Sequence, residues 1–101
     1  ADLIISGGEN VSPAEVESVL REHPAVADAG VVPRPDPRWG QVPVAFVVAR
    51  QAASERLKAE LIRHCTARLA RYKVPADVRF LPELPRNAAG KLSRRRLLEL
   101  L

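Results

Sequence analysis

The residues best suited to chemistry lie near the end of the chain, where Lys91 closes the segment PRNAAGK. Pro85 fixes a φ angle and lacks an N–H group, so it interrupts regular structure. Asn87 and Gly90 tolerate turn and left-handed backbone conformations. The segment therefore predicts a tight loop with Lys91 at its end, and a lysine held in this way can extend its charge into another surface.

The same loop has a simpler interpretation, which is a solvated basic turn without a chemical role. It is not a phosphate-binding P-loop, because that motif requires G-x-x-x-x-G-K followed by serine or threonine. Pro85 stands where the first glycine belongs, and Leu92 stands where the hydroxyl belongs. The loop alone leaves both interpretations open, so the rest of the sequence has to decide between them.

Two other turns favour close contact with a ligand or a partner. Gly7 and Gly8 leave the backbone bare, which allows another molecule to approach closely, although a plain hairpin turn has the same composition. Trp39, the only tryptophan, precedes Gly40 in a predicted loop. Its ring either covers the core from the loop or packs against a partner.

A third candidate contact combines Tyr72 with Arg71 and Lys73. A ring between two cations can stack on a nucleotide base while the charges meet its phosphates. The alternative is a tyrosine that only anchors its loop.

Cysteine and histidine predict no reactive or metal centre. Cys65 is the only cysteine, so the chain can form no internal disulfide. It falls in the apolar stripe of a predicted helix and is expected to be a buried small hydrophobe rather than a nucleophile. His23 has no second histidine or cysteine at ligand spacing, so no metal is assigned, and it is expected to be a cation near a helix end.

The composition bounds the class of protein. A chain of 101 residues with 47% hydrophobic residues predicts one globular domain with a modest core. The net charge of +4 suits an anionic partner, which could be nucleic acid, a membrane or a phosphorylated small molecule. No apolar run is long enough for a membrane span and no signal peptide opens the chain, so a cytoplasmic protein is expected.

Periodicity and end signals predict the elements that position these residues. Ser12, Ser54 and Ser93 are the expected N-caps of three helices. The fold class is α+β, with a small three-stranded sheet packed with two helices, an N-terminal β-hairpin and a short C-terminal helix. The predicted helices begin after these caps and end near residues 22, 71 and 101, the predicted strands are residues 26–32, 42–49 and 78–81, and a proline-broken loop covers residues 33–38.

Four segments, taken together, resemble the motifs of a known family. Residues 2–17, 36–41, 72–75 and 85–91 are similar, in this order, to the C-terminal domain of adenylate-forming enzymes of the acyl-CoA synthetase branch. The resemblance covers essentially the whole chain, so residues 1–101 are expected to form that C-terminal lid domain.

The resemblance implies a role for Lys91. In this family a large N-terminal domain, absent from these 101 residues, binds ATP, Mg²⁺ and a carboxylic acid. The small domain is a lid with two orientations. In the first orientation the lysine matching Lys91 stabilises the charge shared by the carboxylate and the ATP phosphate while acyl-AMP forms.

In the second orientation the lid is expected to turn another face inward, to accept CoA. The turn at Gly7 and Gly8 and the loop at Trp39 and Gly40 would then line the tunnel for the pantetheine arm. Tyr72 and Lys73 would lie toward the CoA nucleotide.

The same resemblance implies partners and regulation. The expected partners are the protein's own N-terminal domain, a carboxylic acid, ATP and CoA, without nucleic acid or a membrane span. The hinge about which the family's lid turns falls at Ala1. Because the N-terminal domain is absent, the isolated chain is expected to have no ligase activity. Residues 85–91 also resemble the site at which lysine acetylation silences such ligases, so a lysine acetyltransferase is a candidate partner at Lys91.

Two alternatives of other classes remain. A nucleic-acid-binding module is suggested by residues 84–98, which carry five cations and no acid. A free-standing interaction module would use the same fold as an adaptor.

Overall fold

The computed structural model describes residues 3–101. The hinge position Ala1 and Asp2 of the first motif lie outside the described residues. The α+β class is confirmed, as are the N-terminal hairpin, the two main helices and the short C-terminal helix. The elements in chain order are β1 (Ile4–Ser6), β2 (Glu9–Val11), α1 (Pro13–Arg21), β3 (Val26–Asp36), β4 (Gly40–Ala49), α2 (Glu55–Thr66), a 3₁₀ turn (Arg71–Lys73), β5 (Asp77–Phe80) and α3 (Arg94–Leu98).

The sheet has five strands, so the predicted three-stranded sheet with a separate hairpin is wrong in its strand count. The strand order is β2-β1-β4-β3, and β5 pairs with β4 in parallel. The hairpin joins the sheet because Ser6 pairs with Gly40 and because Gly7 N–H donates to the Trp39 carbonyl at 2.8 Å. This pairing links residues far apart in the chain, which strand periodicity does not report.

The predicted proline-broken loop is also wrong over most of its length. β3 continues through Pro33 and Pro35 to Asp36, and only residues 37–39 form the turn to β4. β3 lies at the edge of the sheet, and an edge strand tolerates prolines because one side of its backbone needs no partner strand. Trp39 lies in the turn, as predicted.

Local end signals correctly predict where the helices begin. The hydroxyl oxygens of the three predicted caps accept backbone N–H groups at 3.4, 3.0 and 3.3 Å. The helices end earlier than predicted: α2 stops at Thr66, because Ala67 and Arg68 N–H donate to the Arg63 and Cys65 carbonyls in a closing turn. α3 likewise ends at Leu98. No helix in the described residues is long and apolar enough to cross a membrane.

The core consists of two clusters that share the central strands. Along β3, Val31 belongs to the cluster with α1 and α2, whereas Val32 belongs to the cluster with Leu97 of α3. This alternation follows from strand geometry, since successive side chains point to opposite faces. Cys65 is buried in the larger cluster, as predicted, and burial raises the pKa of its thiol to about 11.

A buried ion pair joins the two sides of the domain at the edge of β3. Glu17 of α1 is only 3% exposed, and its Oε2 accepts the Val31 N–H at 2.9 Å. Arg94 of α3 meets the same carboxylate with two nitrogens, with Nη2 at 2.7 Å from Oε1 and Nε at 3.1 Å from Oε2. Glu17 therefore connects α1, the edge strand and α3.

Replacing Glu17 should strongly destabilise the domain. In Glu17→Ala, the Arg94 charge and the Val31 N–H lose this carboxylate, so we expect the free energy of unfolding to fall by about 3 kcal/mol. The exposed Glu22 is the C-cap of α1 and forms a long ion pair of 3.9 Å with Arg68, so Glu22→Ala is the matched control, with a loss below about 1 kcal/mol. Urea unfolding followed by circular dichroism measures both, and equal losses would contradict the role given to Glu17.

Candidate functional site

The Lys91 loop is a tight hairpin, as the sequence predicts. Arg86 and Leu92 form an antiparallel bridge at its base. Asn87 N–H donates to the Lys91 carbonyl at 2.8 Å, and Gly90 N–H donates to the Asn87 carbonyl at 2.9 Å. Gly90 has φ +81°, a conformation that favours glycine and allows the chain to reverse here. We call residues 86–92 the lysine hairpin.

The side chain of Asn87 fixes the backbone of the lysine hairpin. Its Oδ1 accepts the Ala89 N–H at 2.9 Å and the Lys91 N–H at 3.1 Å. This is the local side-chain-to-backbone bonding that makes asparagine a turn residue. The sequence identified Asn87 as a turn residue, and the structure adds that it holds the Lys91 backbone directly.

Lys91 differs from the other two lysines in its electrostatic surroundings. Lys58 Nζ pairs with Asp77 at 2.8 Å, and Lys73 Nζ pairs with Glu15 at 2.9 Å. These hydrogen bonds raise the pKa of both lysines. Lys91 is exposed, and its ammonium group has no carboxylate within 4.0 Å among residues 3–101. Its charge is therefore not compensated by a neighbour in that part of the chain.

A second surface forms where two of the predicted turns meet. Besides the hydrogen bond from Gly7 N–H to Trp39, Gly7 faces the Trp39 ring so closely that a Cβ would lie 2.9 Å from Cε3. Asp36 Oδ2 accepts the N–H groups of Arg38 and Trp39 at 3.0 and 2.8 Å, and the Arg38 guanidinium lies 4.6 Å from the ring centroid. The ring is therefore fixed on both sides although 46% of the residue is exposed.

An open cavity of about 390 Å³ lies beside this ring. It brings together Gly7, Trp39 and Tyr72, three of the residues that the sequence identified as candidates. Gly8, Gly40 and Lys73 do not line it. The complete lining is Ser6, Gly7, Glu9, Trp39, Val42, Pro43, Arg71, Tyr72, Val74 and Ala76.

The cavity and the lysine hairpin are separate surfaces, since no cavity-lining residue falls in residues 86–92. The cation that lines the cavity is Arg71 rather than Lys73, because Lys73 is directed to Glu15. The sequence identified Arg71 and Lys73 together as cations for nucleotide phosphates, but only Lys73 was assigned to the CoA nucleotide. Glu15, the exposed acid that pairs with Lys73, lies 58 residues away in the chain. No pattern in the sequence predicted this pair.

The sequence of this domain matches a known family. The profile of the AMP-binding enzyme C-terminal domain family matches residues 15–91, which is more than half of the chain. The chain belongs to this family, and the resemblance inferred from the four motifs is confirmed.

Within the family, the chain is similar to 2-succinylbenzoate–CoA ligases. It is 59% identical over 100 residues to the enzyme of Bacillus cereus, covering 99% of this chain and 20% of the relative. The o-succinylbenzoate CoA synthetase of Bacillus subtilis, in complex with the acyl-adenylate intermediate OSB-AMP, superposes with a TM-score of 0.88 and 55% identity over 95% of this chain and 19% of that chain. A double mutant of the same enzyme, bound with the product analogue OSB-NCoA, superposes with a TM-score of 0.89 and 52% identity. This match covers 98% of this chain and 20% of that chain.

The chain thus spans about one fifth of the length of these relatives. The motifs themselves predict the same subgroup. The segments IISGGEN, RWGQVP and LPRNA look most like o-succinylbenzoate–CoA ligase, and the similarity in sequence and structure confirms that resemblance.

The contact between Gly7 and Trp39 makes a prediction about the tryptophan ring. Both Gly7 (φ +56°) and Gly8 (φ +83°) have positive φ, so alanine is strained at either position, but only at Gly7 does the added Cβ meet the ring. We expect Gly7→Ala to displace Trp39, to shift its fluorescence emission to longer wavelength and to increase quenching by acrylamide. Gly8→Ala is the matched control and should leave the emission unchanged; the same shift in both variants would contradict the contact.

Proposed function

We propose that this chain is the C-terminal lid of an acid–CoA ligase that activates 2-succinylbenzoate for menaquinone synthesis. The observation that carries the proposal is the 59% identity over 99% of the chain to a 2-succinylbenzoate–CoA ligase. The acid itself would bind to the N-terminal domain, so a fatty acid or an aryl acid is the alternative substrate. The partners are that domain, the acid, ATP and CoA, with Mg²⁺ also expected in the N-terminal domain.

The proposed reaction has two halves. In the first, the carboxylate attacks the α-phosphorus of ATP, the bond to the β-phosphate oxygen breaks, and pyrophosphate leaves with acyl-AMP as the product. In the second, the CoA thiolate attacks the acyl carbon, AMP leaves, and the thioester forms. The thiol proton passes to solvent before this attack, because the thiolate is the attacking species.

Lys91 is assigned to the first half-reaction. A compact ammonium stabilises the negative charge that develops between the carboxylate and the phosphate, and it also positions the two anions. The exposed hairpin and the uncompensated charge of Lys91 support this role, because the side chain has no carboxylate partner among residues 3–101 to give up.

The surface around Trp39 is assigned to the second half-reaction. The cavity has an apolar floor from Val42 and Pro43, which suits the pantetheine arm. Gly7 makes room for the Trp39 ring, and the bare backbone at Gly8, where a Cβ would meet nothing within 4 Å, leaves space for the arm to approach. Gly40 shapes the turn that carries Trp39. Tyr72 would stack on the CoA nucleotide.

Lys73 would contact a CoA phosphate after exchanging its bond with Glu15. Arg71 lines the cavity and is a second cation for the same phosphates.

The nucleic-acid alternative has less support in the structure than in the sequence. Two of the five cations in residues 84–98, Arg86 and Arg94, pair with the carboxylates of Asp28 and Glu17. Their charge therefore serves interactions within the domain.

The experiment that tests the proposal separates the two half-reactions in the full-length ligase. Lys91→Ala should reduce acid-dependent exchange of pyrophosphate with ATP about 10²–10³-fold, as expected for loss of one preorganised electrostatic group. Thioester formation from supplied acyl-AMP should be retained. Trp39→Ala should retain exchange and reduce thioester formation. Lys58→Ala removes a lysine that belongs neither to the cavity lining nor to the lysine hairpin, and it should affect neither half.

Normal exchange in Lys91→Ala would overturn the assignment of Lys91. Thioester formation from the 101-residue chain alone would overturn the need for the N-terminal domain. Faster exchange with a fatty acid than with 2-succinylbenzoate would overturn the proposed substrate and leave the lid role intact.

Acetylation should silence the same step. Lys91 is exposed without an ion-pair partner in the described residues, whereas Lys58 and Lys73 are paired, so we expect an acetyl-CoA-dependent lysine acetyltransferase to modify Lys91 first. The modification removes the charge, so exchange should fall while thioester formation from acyl-AMP persists, and a deacetylase should restore exchange. Mass spectrometry of the full-length ligase locates the acetyl group; inactivation without modification of Lys91 would contradict this regulation.

A further inference from the structure

One guanidinium connects the lysine hairpin to the edge of the sheet. Arg86 Nη2 forms an ion pair with Asp28 Oδ2 in β3, and Arg86 Nη1 donates to the Gly90 carbonyl at 3.3 Å. Gly90 immediately precedes Lys91. Arg86 therefore contacts both a strand of the core and the residue next to the lysine.

Asp28 is itself fixed within the sheet. Its Oδ1 accepts the Ala29 N–H at 2.9 Å, and its neighbour in sequence, Ala29, is buried. Asp28 lies at an irregularity in the pairing of β3 with β4, where the register shifts between Val26 and Asp28. Arg21 of α1 lies 3.9 Å away and is the only other cation that pairs with this carboxylate among residues 3–101. The strand itself therefore orients the Asp28 side chain, independently of its contact with Arg86.

The other end of the lysine hairpin is also attached to the core. Ser93 N–H donates to the Pro85 carbonyl at 2.9 Å, Leu92 packs against the smaller core cluster, and Arg94 pairs with the buried Glu17. These contacts and the buried Leu84 hold the base of the hairpin. The bonds of Arg86 reach beyond the base, to the residue that precedes Lys91.

We propose that Asp28 and Arg86 are positioning residues that hold Lys91 in the geometry needed for adenylation; this inference rests on the function proposed for Lys91. A displacement of about 1 Å can cost about 10²-fold in rate, so an anchor of this kind has a catalytic consequence without contact with the substrate. Arginine is required because its planar fork makes both bonds at once, whereas the single ammonium of a lysine cannot span them.

The exposure of the pair separates this role from a purely structural one. The side chains of Arg86 and Asp28 are 48% and 26% exposed, and exposed ion pairs contribute little to folding stability. Asn87 still forms the turn when Arg86 is replaced, since its bonds lie within the lysine hairpin. The expected result of breaking the pair is a folded domain with a misplaced lysine.

The test uses the full-length ligase with Asp28→Asn, Arg86→Gln and Arg86→Lys. We expect each variant to reduce acid-dependent exchange of pyrophosphate with ATP by about 10-fold or more, to retain thioester formation from acyl-AMP, and to keep the wild-type melting temperature. The double variant D28R/R86D, which restores the pair in reverse, should recover part of the lost exchange. Asp77→Asn breaks another partly exposed pair, with Lys58, and it is the control that should leave both halves unchanged.

The same variants are then placed in the Lys91→Ala background. If Asp28 and Arg86 act through Lys91, they should cause no further loss of exchange there, because residues that act as a unit are not additive. A further loss in this background would overturn the inference, and so would an equal loss of both half-reactions together with a lower melting temperature.

The failure of this inference differs from a failure of the proposed function. Normal exchange in Asp28→Asn and Arg86→Gln, with exchange abolished in Lys91→Ala, would remove the positioning role and keep the function of Lys91. Normal exchange in Lys91→Ala itself would remove both.

Discussion

Glu17 places a carboxylate inside the domain at the free edge of β3, where it accepts the Val31 N–H and meets the Arg94 guanidinium. A charge buried without a partner costs several kcal/mol, so α1 and α3 have to approach the same edge of the sheet to compensate it. The carboxylate also covers a backbone N–H that an exposed edge strand would offer to another chain. Because Arg94 follows Lys91 by only three residues, this ion pair determines where the lysine hairpin leaves the core.

The two candidate surfaces depend on one rigid frame. Gly7 and Trp39 meet because β1 pairs with the start of β4, and the lysine hairpin is attached to β3, which pairs with β4 along its whole length. A change that moved one surface relative to the other would have to break ladder hydrogen bonds. To present its two surfaces to a partner in turn, such a domain would have to rotate as a unit, which is the motion that the proposed two-orientation lid requires.

The comparison of sequence with structure separates local from long-range information. Ser12, Ser54 and Ser93 were identified correctly because a cap and its N–H partner lie three residues apart. The extension of β3 through its prolines was missed because it depends on β3 being an edge strand, which is a property of the whole topology. The candidate site shows the same difference between local and long-range contacts. Asn87 was recognised as a turn residue because its bonds are local. The pairing of Arg86 with Asp28 joins positions 58 residues apart and leaves no pattern in the sequence.

The net charge of +4 gives little information about function until the cations are sorted by their partners. Arg86 and Arg94 are used to attach the lysine hairpin, and Lys58 and Lys73 are paired with carboxylates. A paired cation has to give up its partner before it can serve another anion, and that exchange offsets part of the free energy gained. Lys91 has no such partner among residues 3–101, and its loop is held by other side chains. The proposed chemistry of the domain therefore depends less on the number of basic residues than on which of them is left uncompensated at the end of a fixed loop.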